Sequence, residues 1–369
     1  MGETGGRGYR RQGKGNPYSL VDIRDLFPAS GPVVIAGPCS AESQAVLTES
    51  AVALKAAGVG VLRCGLWEPR TRPGDYEGPG YEGLQWLMRV KRETGMRVCT
   101  EVATPEHVKA CADAGVDLVW IGARTVGSPF QLQLLADALG ASGLPVLLKN
   151  PLNPDAGLWE GAIERLKGAG VKDIGLVHRG FNTTDAAPYR NAPLWQLAAR
   201  MKAAYPGLPF FSDPSHMAGD RRYVGELAQR AIDLGLADGL MIEVHPEPEK
   251  ALSDAAQQLS PRQFKALMEG LVRRRPSSAD EAFQARLEAL RTEIDRLDGK
   301  LLAILEERQQ VSREIGLCKK EQGVEIVQPR RWEQLLESRL ALAREAGLDE
   351  SAIKSIMEEV HRMSIQVQK

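Results

Sequence analysis

Residues 239–245 read Gly239-Leu240-Met241-Ile242-Glu243-Val244-His245, a short apolar run that closes on an acid and a histidine. Such a run is far too short to span a membrane, and its lack of polar alternation fits a strand covered on both faces. The same unit stands at 32–39, 59–67, 96–102, 118–124, 145–150, 174–180 and 209–216, each followed by a stretch of helical periodicity. Eight strand–helix units in succession predict an α/β protein built on a (β/α)8 TIM barrel. At or just beyond the strand ends sit Cys39, Arg63, Arg70, Glu101, Arg124, Lys149, Arg179, His216 and Glu243. Charges at the C-terminal ends of buried strands face the barrel mouth, where this architecture places its chemistry.

The 369 residues exceed what a barrel of about 250 residues needs, so a second domain is expected. A formal net charge of -1 gives no global attraction for nucleic acid or an anionic membrane. Five cysteines without a close CxxC pair argue against a disulfide framework and for a reducing, cytoplasmic setting. The Gly- and Arg-rich stretch 1–18 reads as a disordered leader and 19–273 as the barrel domain. Residues 274–279, centred on Arg275-Pro276-Ser277-Ser278, read as a linker, and 280–369 as an all-α domain.

Ser278 followed by Glu281 has the form of a capping box, so a helix should begin there. Apolar residues then recur at 283, 287, 290, 294, 297, 301, 304, 311 and 315, a three-and-four spacing that holds to one face. Position 308 interrupts that stripe with an arginine, which calls for a buried ion pair or an anionic ligand. Two further helices are expected over about 328–345 and 349–368. Arg291 and Arg308 would lie roughly 25 Å apart along the first helix, so they cannot grip one small anion within a single chain. If both are ligand contacts, the tail is a homodimer with two equivalent sites.

In the barrel, Cys39, His216, Glu243 and Asp254 offer a thiolate, an imidazole and two carboxylates, a mixed donor set suited to a divalent transition metal. Arg63, Arg70, Arg124, Lys149 and Arg179 form a second, cationic set. Guanidinium forks suit phosphate and carboxylate, and so many converging cations would repel one another unless anions filled the mouth. Metal with a phosphate cradle indicates aldol-type carbon–carbon bond formation.

Gly37-Pro38-Cys39, Pro69-Arg70-Thr71, Ile121-Gly122-Ala123-Arg124, Leu148-Lys149-Asn150, His178-Arg179-Gly180, Asp213-Pro214-Ser215-His216 and Glu243-Val244-His245 with Ser253-Asp254 together resemble the 3-deoxy-D-arabino-heptulosonate 7-phosphate (DAHP) synthases of the compact bacterial subclass. The resemblance covers about residues 20–272. It implies a divalent metal (Mn2+ or similar) on Cys39, His216, Glu243 and Asp254, and phosphoenolpyruvate on Arg63, Arg124, Lys149 and Arg179. Arg70 and Thr71 would meet erythrose 4-phosphate, the acceptor favoured by the Pro-Arg-Thr element, and Cys39, Lys149 and His216 would carry the chemistry. One position departs from the pattern: Glu68 stands where the family usually has lysine. A carboxylate there should repel phosphoenolpyruvate unless an arginine such as Arg72 pairs with it.

Residues 280–369 resemble the all-helical chorismate mutases, through Leu290-Arg291, 297–302, Glu307-Arg308, Gly316, Lys319, Arg331, Ser364 and Gln368. That likeness implies that Arg308 and Arg331, with Arg291 from a partner chain, bind the two carboxylates of chorismate or prephenate. Ser364 would complete the contacts, and Lys319 and Gln368 would address the ether oxygen. Trp332 and Gln328 replace a usual Glu and Asp, which points toward prephenate binding for feedback control beside or instead of catalysis. Two other readings compete: a phosphoenolpyruvate aldolase acting on another sugar phosphate, and a catalytically weak barrel serving as a regulatory scaffold.

Overall fold

The computed structural model describes residues 23–26, 33–68, 74–275 and 277–368, so the expected leader, Arg70, Thr71 and Arg72 lie outside the described residues. The chain divides into two compact units, Met1–Arg274 and Arg275–Lys369.

In the first unit eight parallel strands close into a barrel: β1 (Val33–Gly37), β2 (Val61–Arg63), β3 (Arg97–Glu101), β4 (Leu118–Ile121), β5 (Val146–Lys149), β6 (Ile174–His178), β7 (Phe210–Ser212) and β8 (Gly239–Glu243), with β8 pairing back onto β1. Each strand is shorter than its apolar run. Cys39, Asn150 and Arg179 lie beyond the ladder on the segments that follow their strands, and His216 lies in the short helix after β7. Among the described residues ten helices surround the sheet: α1 (Gln44–Ala56), α2 (Tyr81–Thr94), α3 (Pro105–Ala114), α4 (Ala123–Val126), α5 (Pro129–Ser142), α6 (Ala156–Gly168), α7 (Trp195–Ala204), α8 (Pro214–Ala218), α9 (Arg221–Asp233) and α10 (Pro261–Gly270).

Strand alternation decides what fills the barrel. Ile35, Val61, Cys99, Leu118, Trp120, Leu147, Val177, Phe211 and Met241 point inward and form one buried cluster. Their neighbours along each strand pack against the helices. Gly175 and Gly239 leave room for two of the inward side chains, since a Cβ on either would stand 2.6 Å from Leu147 or Phe211. Ile23, on a single 3-10 turn (Ile23–Leu26), is buried in the same cluster and seals its lower end. Two residues beyond Val61, Leu147 and Met241 the inward set continues with Arg63, Lys149 and Glu243. The floor of the mouth is therefore the polar top layer of the barrel filling.

The second unit is three helices, α11 (Glu281–Glu321, 41 residues), α12 (Pro329–Glu345) and α13 (Glu350–Val367). The cap of α11 differs from expectation. Asp280 Oδ1 accepts from the Phe283 amide at 2.9 Å, while Ser278 Oγ accepts from the amide of Asp280 itself. Asp280 stands immediately before the first helical residue and bears a charge that complements the helix dipole, so it takes the role assigned to Ser278. Gly316 admits the close approach of α13, for a Cβ there would stand 2.8 Å from Gln368 Cα. Phe283, Leu290, Ile294, Leu297, Leu301, Ile304, Val311 and Ile315 are 44–60% exposed in the single chain.

Candidate active sites in the barrel and the tail

At the mouth, Cys39 follows β1, Glu243 ends β8 and Asp254 lies on the loop after it. One ligand atom from each falls within 4.8 Å of the others. Cys39 Sγ is 3.6 Å from Asp254 Oδ2. His216 comes from α8, and its Nε2 stands 3.6 Å from Glu243 Oε1, on the edge of that triplet. The four residues expected to bind metal thus converge.

Their supports are specific. Gln258 accepts the Cys39 amide at 3.0 Å, and Ser215 Oγ accepts the Glu243 amide at 2.9 Å. Gln257 Nε2 donates to Glu243 Oε2 at 2.7 Å, and Arg190 donates to Asp254 Oδ1 at 3.0 Å. Asp254 adopts φ 46°, a left-handed backbone that costs an ordinary residue of order 1 kcal/mol and is kept here to aim a carboxylate inward. Burial, then Glu243, Glu68 and Asp254, push the Cys39 thiol well above its usual range. Glu243 Oε1 is buried and completes no aligned hydrogen bond, although the Arg63 guanidinium is 3.2 Å away. A soft sulfur, an imidazole nitrogen and two carboxylates around an orphaned oxygen fit a divalent transition metal.

Beside this cluster the mouth is lined by Glu68, Glu101, Arg124, Lys149 and Arg179. Lys149 Nζ sits 3.1 Å from the fully buried Asp213, which also lies 2.8 Å from His216 Nδ1. Burial opposes the charge of Asp213, but His216, Lys149 and Arg63 hold it well below the carboxylate range. Arg63 is 1% exposed. Burial works against its charge too, yet Glu243, Cys39 and Asp213 keep it above the ordinary guanidinium value. Arg179 is pulled down to about 10 by burial, with Arg190 and Arg124 adding to the effect and Asp213 opposing it. Glu68 fills the space over Gly65, where a Cβ would stand 1.7 Å from Glu68 Oε1.

Residues 29–275 match the DAHP synthetase I family. The chain belongs to that family. Residues 290–369 match chorismate mutase type II, and the protein is an enzyme with a DAHP synthase domain followed by a chorismate mutase domain. It is 36% identical over 252 residues to the phospho-2-dehydro-3-deoxyheptonate aldolase of Thermotoga maritima, covering 68% of this chain and 72% of that protein. The 2-dehydro-3-deoxyphosphooctonate aldolase of Nitratidesulfovibrio vulgaris is 31% identical over 243 residues, covering 60% and 84%. A crystal structure of the Thermotoga maritima DAHP synthase superposes with TM-score 0.59 at 34% identity, covering 69% of this chain and 75% of that one.

Three residues of this DAHP synthase domain went unmarked in the sequence. Asn191 receives Arg179 Nη1 at 2.7 Å and donates to the His216 carbonyl at 2.7 Å, so one amide ties the cationic half of the site to the half that carries the thiol, imidazole and carboxylates. It sits on the irregular segment after β6, where no periodicity points to it. Arg190 precedes it on the same segment. Trp120 is buried under Arg63 (4.8 Å to the ring) and Lys149 (5.7 Å), and its Nε1 donates to Glu101 Oε2 at 2.7 Å. Counting by twos from Leu118 would have turned Trp120 toward the mouth.

In the chorismate mutase domain, Arg308 Nη1 donates to Ser364 Oγ and, at 3.4 Å, to the Val360 carbonyl. Arg308 therefore leaves the exposed stripe and turns to α13. Lys319 Nζ donates to the Ile326 carbonyl at 2.6 Å. Gln368 Oε1 is buried with no hydrogen-bond partner among the described residues. Trp332 stacks on His361 at 4.1 Å and 12°. Arg331 is exposed, and Arg291 stands 3.7 Å from Glu288 on the same helix. Within one chain Arg308, Lys319, Ser364 and Gln368 belong to the packed faces of α11 and α13, while Arg291 does not reach them. Among the described residues no helix is long and apolar enough to cross a membrane.

Proposed function

We propose that the barrel condenses phosphoenolpyruvate with erythrose 4-phosphate to DAHP and phosphate in a metal-dependent reaction. The tail isomerises chorismate to prephenate and binds prephenate as a feedback signal. The observation that carries the barrel reading is the convergence of Cys39, Glu243 and Asp254, with His216 beside them, next to a buried cationic floor.

In this mechanism Cys39, His216, Glu243 and Asp254 would hold a divalent ion, Mn2+ or similar, which would supply Lewis acidity toward the acceptor's aldehyde. Lys149, Arg179, Arg124 and Arg63 bind the carboxylate and phosphate of phosphoenolpyruvate and fix its enol carbon toward the aldehyde. Arg70 and Thr71 receive the sugar phosphate. The enol carbon forms the new C–C bond, water adds at the carbon bearing phosphate, and inorganic phosphate leaves. In the tail, Arg308, Arg331 and a partner chain's arginine at position 291 hold the two carboxylates of chorismate in a compact conformer. Lys319 and Gln368 donate to the ether oxygen as charge develops there, and Ser364 anchors Arg308. The exposed apolar face of α11 is then the homodimer interface that brings Arg291 to the second site.

The test follows phosphoenolpyruvate consumption by manganese-loaded protein with erythrose 4-phosphate, with arabinose 5-phosphate, with no aldehyde, and after chelation. Loss that requires erythrose 4-phosphate and disappears with chelator is expected. Preference for the five-carbon sugar would replace this reading with another sugar-phosphate aldolase. No loss with any aldehyde would leave the barrel as a regulatory scaffold.

A further inference from the structure

The stack of Trp332 on His361 lies near Arg308 and Lys319, whose charges act on the imidazole. His361 is one residue from the Val360 carbonyl and three from the Ser364 hydroxyl, both of which accept from Arg308. The indole covers one face of the imidazole at 4.1 Å and 12°, which fixes the ring plane. We propose that His361 is a ligand-contacting residue of the tail's site and gains a proton when a dicarboxylate occupies it. The proposal rests on the reading of the tail as a chorismate or prephenate site.

The groups that face His361 set the direction. From α11 come Arg308 and Lys319, and α12 contributes the neutral Trp332 along with Arg339, which acts on Arg308. On α13 itself Glu358, one turn before the ring, stands 4.0 Å from Lys354, and Glu359 pairs with Arg362. Burial first, then the charges of Arg308 and Lys319, hold the empty-site imidazole below its ordinary 6.5. Arrival of two carboxylates reverses the sign of the local potential and favours the imidazolium. The proton comes from solvent. Affinity should therefore rise as pH falls from above the bound-state value toward the free-state value, by up to about tenfold per pH unit inside that window. Trp332 in place of a carboxylate makes this coupling available, because an acid packed on the ring would keep it protonated in the empty site and leave little proton to gain.

The experiment is calorimetric titration of prephenate into the full chain at pH 7 in buffers of differing ionisation enthalpy. Wild-type protein should take up protons on binding, and His361→Asn should bind without that uptake. Equal uptake in both proteins, or binding without buffer dependence in the wild type, overturns the proposal and leaves the dicarboxylate reading standing. No prephenate binding at all overturns the reading and the proposal together. If His361→Asn does not fold, the five histidines of the labelled wild-type chain can be titrated by NMR with and without prephenate. One imidazole must then titrate below 6.5 when free and rise on binding, and unmoved histidines refute the proposal.

Discussion

His178 is a fully buried imidazole at the end of β6, ringed by Trp195 (5.4 Å), Phe181 (5.8 Å) and Phe210 (6.4 Å). Burial depresses it from 6.5 to about 3; the Pro193 backbone opposes that shift, yet neither ring nitrogen completes an aligned hydrogen bond. The folded chain therefore refuses a proton that the unfolded chain accepts below 6.5. The protonation penalty of His178 is absent above that pH and grows progressively as pH falls toward 3. The full difference is roughly 5 kcal/mol, and the part developed between pH 7 and pH 5 is about 2 kcal/mol. His178→Leu, close in volume, removes the proton acceptor. Urea unfolding of both proteins at the two pH values, followed at the barrel's tryptophans, should show the wild type losing about 2 kcal/mol more than the variant. Parallel losses would refute the reasoning, because they would mean that His178 is hydrated or protonated in the native barrel.

Asn191→Ala should release Arg179 and the His216 segment, raising the KM for phosphoenolpyruvate about tenfold with little change in unfolding midpoint; steady-state kinetics decide it. Trp120→Leu should destabilise the barrel by about 3 kcal/mol in urea and weaken phosphoenolpyruvate, whereas Trp120→Phe keeps the ring beneath Arg63 and Lys149 and should retain most of the affinity. Gly122→Ala places a Cβ 2.2 Å from Glu101 Oε1 and should lower kcat while leaving the circular dichroism unchanged, since the flexible carboxylate must swing away. Arg291→Ala and Arg308→Ala should each silence the mutase, and mixing the two after co-refolding should restore about a quarter of wild-type rate through one intact site per heterodimer. No recovery would refute the site shared between two chains.

The barrel was legible because its signal repeats. Each strand is short and weak evidence alone, but eight apolar runs in register with eight helical stretches leave few other closed arrangements. The convergence of Cys39, His216, Glu243 and Asp254 was legible for the same reason, since all four lie on segments that such a barrel brings to one end. Asn191 and Arg190 escaped because they sit on an irregular segment, where side-chain direction follows the local path of the chain and no period announces it. Trp120 escaped because an apolar residue in an apolar strand reads as filling, whichever end of the barrel it occupies. The cap of α11 was misassigned by two residues, since Ser278 and Asp280 both satisfy the composition rule and only the backbone distinguishes them.

Charge in the mouth is the point on which sequence reasoning falls shortest. Arg63, Lys149 and Arg179 count as cations that need anionic ligands, but the fold supplies partners of its own: Glu243 at 3.2 Å from Arg63 and Asp213 at 3.1 Å from Lys149. Repulsion among cations therefore does not by itself demand a phosphate. The stronger argument comes from Arg179, which is buried, reaches the neutral Asn191 oxygen, and is pulled down to about 10. Its charge is incompletely compensated, so an arriving phosphate or carboxylate recovers interaction energy there that Arg63 and Lys149 already obtain from their carboxylates. The same accounting explains how Glu68 is accommodated: its carboxylate faces a mouth whose cations are not all compensated, and its field at Arg63 reinforces the guanidinium charge. Lysine at that position would weaken the hold on Arg63 while adding a cation, so Glu68→Lys should alter phosphoenolpyruvate affinity less than the sign change alone implies.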